Sequence, residues 1–236
     1  MRRLAITGTG TEVGKTIVTA AIAALALEAG NRVAVVKAAQ TGIGPGDESD
    51  IDTIARLSGV ADLHELVRYP EPLAPATAAR RAEIRTTSVP EMARRIRALT
   101  ERDLVLVEGS GGLLVRLDSD GATIADLADA IDADLLVVAP AGLGTLNATA
   151  LTCLEIRRRS LSCAGVVIGS WPATPDLAAR CNLDDLPDYA GTPLLGVLGE
   201  ALGGLDSLAF LSAARFGLGP PLGGNWLLRD KVRDSI

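Results

Sequence analysis

Short apolar runs alternate with stretches of helical composition along most of the chain. Residues 4–7 are an apolar run that predicts a strand, and residues 15–29 read as a helix that stops at Gly30, a residue suited to the left-handed position after a helix. Residues 32–39 (RVAVVKAA) are apolar almost throughout instead of alternating, the pattern of a parallel strand buried on both faces. Residues 40–50 (QTGIGPGDESD) predict a loop, and a helix resumes over 51–57. Residues 69–75 (YPEPLAP) are too broken by proline to be helical inside. Residues 89–100 predict a helix with arginines on a solvated face, followed by a buried strand over 103–107. Residues 123–133 predict a helix with Asp126, Asp129 and Asp132 spaced along a solvent face. A strand over 135–139 leads to a helix over 145–159, whose terminal arginines complement the helix dipole. Strands over 164–168 and 194–198 and a helix near 207–215 complete the series.

This alternation predicts an α/β fold, a doubly wound and mainly parallel sheet in three layers, with right-handed crossovers. No repeat, linker or low-complexity tract divides the chain, so residues 1–236 read as a single domain; 227–236, mixed in charge, read as a terminal helix or a loose tail. Ligands of such sheets bind beyond the carboxyl ends of the strands, which directs attention to the strand-end loops.

Composition narrows the picture in three ways. Apolar residues make up 48% and aromatics only 3%, so the core must be built from Ala, Val, Leu and Ile. The net charge of −6 argues against a general nucleic-acid footprint. Met1-Arg2-Arg3 runs straight into a strand-and-loop pattern instead of a leader, and no apolar stretch reaches the roughly 20 residues that span a membrane, so a cytoplasmic protein is expected. Cys153, Cys163 and Cys181 lack metal-type spacing and are expected to be reduced and buried. Three of the 23 basic residues are lysine, Lys15, Lys37 and Lys231, and the first two stand at strand ends, where a compact ammonium and a planar guanidinium are not interchangeable.

The most informative stretch is residues 3–16. An apolar strand enters a glycine-rich turn that ends in Gly14-Lys15-Thr16 and opens a helix. Backbone N–H groups and the helix N-terminus there face an anion, the lysine supplies a point charge, and the threonine hydroxyl can ligate Mg²⁺. The usual G-x-x-x-x-G-K-[ST] spacing is not met: Thr9 stands five before Gly14, and Gly8 lies one residue earlier. Other strand ends carry Lys37, Gln40, Thr41 and Asp50, then Glu108, then Thr145 and Asn147. Gathered on one edge, they would meet a triphosphate with Lys15, offer Mg²⁺ the oxygens of Thr16, Asp50 and Glu108, and set Lys37 against the γ-phosphate. Each also has a plain structural reading. Asp50 competes with Asp47, Glu48 and Asp52 and also reads as a helix cap; Thr145 reads as another cap, and Glu108 as a solvated strand exit. His64, the single histidine, lies in a predicted polar turn and supports no nucleophilic triad.

Taken together, GTGTEVGKT (8–16), VVKAAQTG (35–42), Ser49-Asp50, YPEPLAP (69–75), LVEGSGGLLV (106–115), GLGTLNATALT (142–152) and PLLG (193–196) resemble the dethiobiotin synthetases, in family order and over most of the chain. The longer phosphate loop is the form that family uses. The resemblance implies a P-loop NTPase fold and an ATP-dependent cyclo-ligase of biotin synthesis. A diaminononanoate amine takes up CO₂, the carbamate accepts the γ-phosphate, and the second amine closes a cyclic urea. It also implies ATP and Mg²⁺ as cofactors, with Lys37 and Lys15 as the catalytic cations and Thr16, Asp50 and Glu108 as metal ligands. Glu12, Val13, Gly14, Lys15, Thr16, Ile17 and Glu108, Gly109, Ser110, Gly111 would border the nucleotide. Thr11, Lys37 and Thr41 would contact the diamine end. The helix start Gly144, Thr145, Leu146, Asn147 would receive the substrate carboxylate from a neighbouring subunit, which makes a homodimer the expected assembly.

Two departures from the family pattern stand out. Ala38 replaces a common proline, at a cost in loop rigidity. In the base-reading segments, Gly169-Ser170 stands where Asn-Asp is common and Gly199-Glu200-Ala201 where Pro-Trp-Leu-like residues are, which implies a relaxed base preference that extends to other nucleoside triphosphates. Three rival readings lack their sequence markers. A partitioning- or septum-positioning-type ATPase would carry a signature lysine where Gly10 stands, together with a basic or amphipathic surface; a cobyrinic-type amidotransferase would need a glutaminase domain; a plain nucleotide-binding module would leave Lys37 unexplained.

Overall fold

The computed structural model describes residues 1–44 and 46–227. Its chain runs β1 (Arg2–Gly8), α1 (Lys15–Glu28), β2 (Val33–Lys37), β3 (Gln40–Thr41), α2 (Asp50–Ser58), β4 (Asp62–Glu65), β5 (Arg68–Tyr69), α3 (Pro75–Arg81), α4 (Val89–Arg97), β6 (Leu104–Gly112), α5 (Ile124–Ala130), β7 (Asp134–Ala139), α6 (Thr145–Arg158), β8 (Cys163–Trp171), α7 (Leu177–Ala190), β9 (Leu194–Gly199) and α8 (Ser207–Gly217). Seven strands form one sheet in the order β4-β2-β6-β1-β7-β8-β9, and every neighbouring pair is parallel.

The continuous apolar runs have a direct cause. Successive residues of β1 point to opposite faces, so Leu4 and Ile6 pack under α1, α2 and α8 with Val18, Ile54 and Phe210, while Ala5 joins Met92, Leu127 and Ile156 beneath the helices of the other face. Strands β2, β6 and β7 divide their residues in the same way, which makes the predicted three-layer α/β arrangement the observed one.

Several elements carried too weak a pattern to be expected. The pair β3–β5 is only two residues long on each side, and β4 is a polar edge strand, DLHE. His64 therefore lies on a strand and not in a turn, with Nε2 2.8 Å from Asp62 Oδ1. The proline-broken connection ends in α3, which begins at Pro75, because proline at the first helical position loses no helix hydrogen bond. Helix α7 was not foreseen; it starts at an Asp176 cap and carries Pro187 inside it. The strand over β6 runs on past Glu108 to Gly112, and β8 runs on to Trp171.

Some surface expectations change as well. Arg94, Arg95 and Arg97 are exposed as expected, and so are Asp129 and Asp132. Asp126 instead closes a capping box with Thr123 and pairs with Arg159. Cys153 is buried, but Cys163 is only half-buried and Cys181 is exposed, so burial holds for one of the three thiols. No helix among the described residues is long and apolar enough to cross a membrane. The expected terminal helix or loose tail falls almost wholly outside the described residues.

Candidate active site

The phosphate-type loop is shaped by backbone conformation before any side chain acts. Glu12 and Gly14 adopt positive φ (58° and 91°), and Gly14 is the residue from which α1 starts. No side chain caps that helix and its first turn holds no acidic residue, so its leading N–H groups are left for an outside acceptor. Only glycine fits at Gly8, where the longer loop begins. A Cβ there would lie 2.7 Å from Gly10 O and 2.8 Å from Val13 Cγ2, where the loop folds back over its own start. Lys15 follows the loop, its Nζ donating to Gly10 O at 2.9 Å. Burial pushes its ammonium below the ordinary lysine pKa, with Glu108 opposing that shift and Lys37 adding to it.

The second half of the site comes from strand register. Lys37 at the end of β2 pairs with Glu108 on β6, so the two side chains emerge from neighbouring parallel strands at the same level. Lys37 Nζ lies 2.7 Å from Glu108 Oε1, 2.5 Å from Asp50 Oδ2 and 3.4 Å from Gly109 O. Burial works to lower the pKa of this ammonium; the two carboxylates outweigh that and hold it above the ordinary lysine value. Thr16 Oγ1 donates to the same Glu108 Oε1 at 3.1 Å. Glu108 Oε2 is buried without a hydrogen-bond partner, an arrangement that costs about 1–3 kcal/mol unless a cation satisfies it.

The acids of the 47–52 loop sort themselves by partner. Asp47 accepts from Gly44 N at 3.0 Å, Glu48 pairs with Arg56 at 2.8 Å, and Asp52 closes a capping box with the N-cap Ser49. Only Asp50, the first residue of α2 and not its cap, faces Lys37. Buried Gln40 steadies it, with Oε1 accepting from Asp50 N at 3.3 Å. Ser110 ties the strand ends together by donating to Ala39 O at 2.5 Å. Among the described residues no three His, Cys, Asp or Glu side chains cluster as a metal nest. The donors that would suit a hard divalent cation are Thr16, Asp50 and Glu108, with the unpartnered Oε2 as the observation in favour; the remaining positions would fall to phosphate oxygens and water.

A cavity of about 830 Å³ collects Thr11, Glu12, Gly14, Lys15, Thr16, Ile17, Lys37, Thr41, Asp50, Glu108, Ser110 and Gly111. One wall is apolar, made by Ile43, Pro72, Leu73, Ala74 and Val115. Sequence reasoning gave that wall no role. The clue was the proline-rich YPEPLAP segment, which sets short apolar residues on an irregular backbone.

Other predicted site residues lie elsewhere. Val13 is buried beneath the loop, and Gly109 packs its backbone against Ile124. Gly169 lies against the underside of the loop, where a Cβ would overlap Val13 O. Exposed Ser170, Gly199, Glu200 and Ala201 close the β8 and β9 ends, with Glu200 N donating to Trp171 O at 2.8 Å. Gly203 brings that segment beside Ile17. Gly144, Thr145, Leu146 and Asn147 do not reach the 830 Å³ cavity within this chain. Gly144 opens α6 in the left-handed region, and Thr145 is buried with its hydroxyl 3.5 Å from Thr149 Oγ1. Further along, α6 borders a second cavity of about 430 Å³ through Leu151, Thr152 and Glu155, opposite Thr9, Thr11 and Leu114.

A family profile described as "AAA domain" matches residues 2–201. The chain is 61% identical over 229 residues to "ATP-dependent dethiobiotin synthetase BioD" of Saccharopolyspora erythraea, covering 96% of this chain and 99% of that protein. It is 58% identical over 226 residues to the protein of the same name from Streptomyces coelicolor, covering 94% of each. Among solved structures, the septum site-determining protein MinD of Pyrococcus horikoshii superposes with a TM-score of 0.55 at 17% identity, over 91% of this chain and 94% of that one. At that identity the likeness shows a shared fold only.

Proposed function

The chain belongs to the dethiobiotin synthetase family, and from that premise we propose that it closes the ureido ring of dethiobiotin from 7,8-diaminononanoate, CO₂ and ATP. The observation that carries the reading is the convergence, in one cavity with an apolar wall, of Lys15, Lys37, Thr16, Asp50 and Glu108. Two cations beside two acids suit a reaction that brings a triphosphate and a carbamate together, whereas a plain switch ATPase has no need of a wall for an alkyl chain.

In this reading one amine adds to CO₂ and loses a proton to give the carbamate. The carbamate oxygen attacks the γ-phosphorus and ADP leaves, after which the second amine attacks the anhydride carbonyl, closing the ring and expelling phosphate. Positioning and charge neutralisation supply most of the rate. The N–H groups of the α1 first turn and Lys15 hold the phosphates, and Lys37 neutralises charge on the transferring group. Thr11 and Thr41 offer polar contacts at the diamine end, and Ile43, Leu73 and Val115 cover its alkyl chain. Mg²⁺ held by Thr16, Asp50 and Glu108 would supply neutralisation at the phosphate oxygens.

The proposal includes a homodimer in which the α6 start, Gly144–Asn147, receives the substrate carboxylate of the neighbouring subunit. Its support is a set of exposed leucines on and just before α6, Leu143 (93% exposed), Leu151 and Leu154, together with exposed Leu114, which lines the 430 Å³ cavity with Leu151. A cytoplasmic location and a single domain spanning the sheet belong to the same reading. Phosphate release measured with and without diaminononanoate and bicarbonate tests it. Release should require both; release independent of the diamine would favour a switch-type ATPase.

A further inference from the structure

The ammonium of Lys37 has three N–H donors, and three acceptors face it: Asp50 Oδ2 at 2.5 Å, Glu108 Oε1 at 2.7 Å and Gly109 O at 3.4 Å. Its side chain is 5% exposed and that of Glu108 fully buried, so water does not dilute that contact, while Asp50 is 32% exposed and opens toward the cavity. Asp50 and Glu108 are also the only acids among the described residues that line the cavity beside Thr16 and can serve a divalent cation there. Glu12 is the other acid on the cavity, and it lies on the exposed outer turn of the phosphate loop. One pair of carboxylates therefore faces two claimants.

Resting on the reading above, we propose that Lys37 and the divalent cation are mutually exclusive partners of the Asp50–Glu108 pair. The lysine acts as a built-in counter-ion that keeps the bare metal out. A nucleotide-borne metal displaces it, and the freed ammonium turns to the transferring phosphate. A small divalent ion takes carboxylate oxygen at about 2.0–2.1 Å, and the oxygen open to it, Glu108 Oε2, belongs to the same carboxylate that Lys37 holds by Oε1, so the two unscreened cations would repel across a single carboxylate. Register fixes the lysine in this place: Lys37 and Glu108 are paired residues of adjacent strands, and Gln40 and Ser110 hold the loops on either side. The side chain can swing, since four methylenes separate its charge from the strand. One residue then serves two stages, guarding the acids before the nucleotide arrives and neutralising charge afterwards.

The test is Mn²⁺ titration of the full chain without nucleotide, read by the loss of the free-ion EPR signal. Lys37→Met should bind Mn²⁺ about tenfold or more tightly than the natural protein, and Glu108→Gln added to that variant should abolish the gain. Equal affinity in the two proteins would overturn the proposal. Circular dichroism confirms that the variant is folded. If it is not, the natural protein decides the question, because only three lysines contribute to an ¹⁵N-lysine spectrum. The Nζ resonance of Lys37 should shift when Mg²⁺ is added to protein already saturated with a non-hydrolysable ATP analogue, and an unmoved resonance would overturn the idea. Diamine-dependent phosphate release stands or falls separately, so loss of the counter-ion role and loss of the family reaction remain distinguishable.

Discussion

Gly14 and Gly169 meet backbone to backbone. A Cβ on Gly14 would overlap the carbonyl of Gly169, and one on Gly169 would overlap Val13 O and lie 2.6 Å from Val138 Cγ1. The end of β8 is thus the bench on which the phosphate loop rests. Gly169→Ala should push the loop off it. Overpacking of this kind costs about 1–3 kcal/mol, so Tm should fall by several degrees and nucleotide affinity should drop, while Ser170→Ala on the exposed side changes neither. Isothermal titration with a non-hydrolysable ATP analogue and a melting curve check both.

The same contact bears on base recognition. The backbone around Gly169 leaves no room for a side chain that could read a base edge, and Ser170 and Glu200 are exposed. A pocket without dedicated side-chain partners discriminates by about 10–200-fold, against 10⁴ or more where buried groups must be paired. Turnover with ATP, CTP and GTP at equal low concentration should therefore differ by less than about a hundredfold. Strict dependence on ATP would rule the idea out.

Most of the layered fold was legible because strands buried on both faces leave long apolar runs, as in 32–39 and 135–139. The phosphate loop was legible because its function constrains Gly14, Lys15 and Thr16 locally. Three things were not. Which acid of the 47–52 loop faces the cavity depends on hydrogen bonds that assign Asp47, Glu48 and Asp52 to other partners. The Lys37–Glu108 pairing is a matter of strand register between residues 71 apart in sequence. The Gly14–Gly169 contact is a matter of packing that a glycine does not announce. Short polar elements such as β4 and β3 fail for a simpler reason: two to four residues carry no period.

Leu151 on α6 is 59% exposed and borders the cavity that also touches Thr11. If this face is covered by a second copy, Leu151→Asp should yield a monomer by light scattering, because a carboxylate buried in an apolar interface is left unpaired. Nucleotide affinity should be unchanged, since the phosphate loop and its acids come from one chain. The KM for the diamine should rise by about tenfold or more, the scale of losing one anchoring contact. A stable dimer with normal KM would refute the shared site.

Cys153 on α6 and Cys163 on β8 shift each other's thiol pKa in opposite directions. The hydrogen bond from Cys153 is the main cause that lowers Cys163 to about 7, against the opposing effect of burial. Its partner is pushed the other way, first by that hydrogen bond and then by burial. The thiolate is the reactive form, so alkylation of Cys163 by iodoacetamide should rise through a midpoint near pH 7, while Cys153 stays unlabelled. Cys153→Ala removes the donor and should move the midpoint of Cys163 upward. Peptide-resolved mass spectrometry separates both from exposed Cys181.

Lys37→Ala separates binding from chemistry. The phosphates are held by the α1 first turn and Lys15, neither of which depends on Lys37, so nucleotide affinity should change by no more than a few-fold. The charge that is lost faces the transferring group, and removal of one such stabilising donor costs about 10²–10³ in kcat. The fall should appear equally in kcat and kcat/KM, the mark of an interaction made in the transition state. Lys37→Arg should not restore the rate, because a bulky planar guanidinium does not bring the compact point charge of an ammonium to the transferring group. Single-turnover phosphate release with saturating diamine and bicarbonate measures the step directly. Near-normal rates in the alanine variant would remove Lys37 from the reaction and leave Lys15 as the only cation among the described residues known to line the cavity.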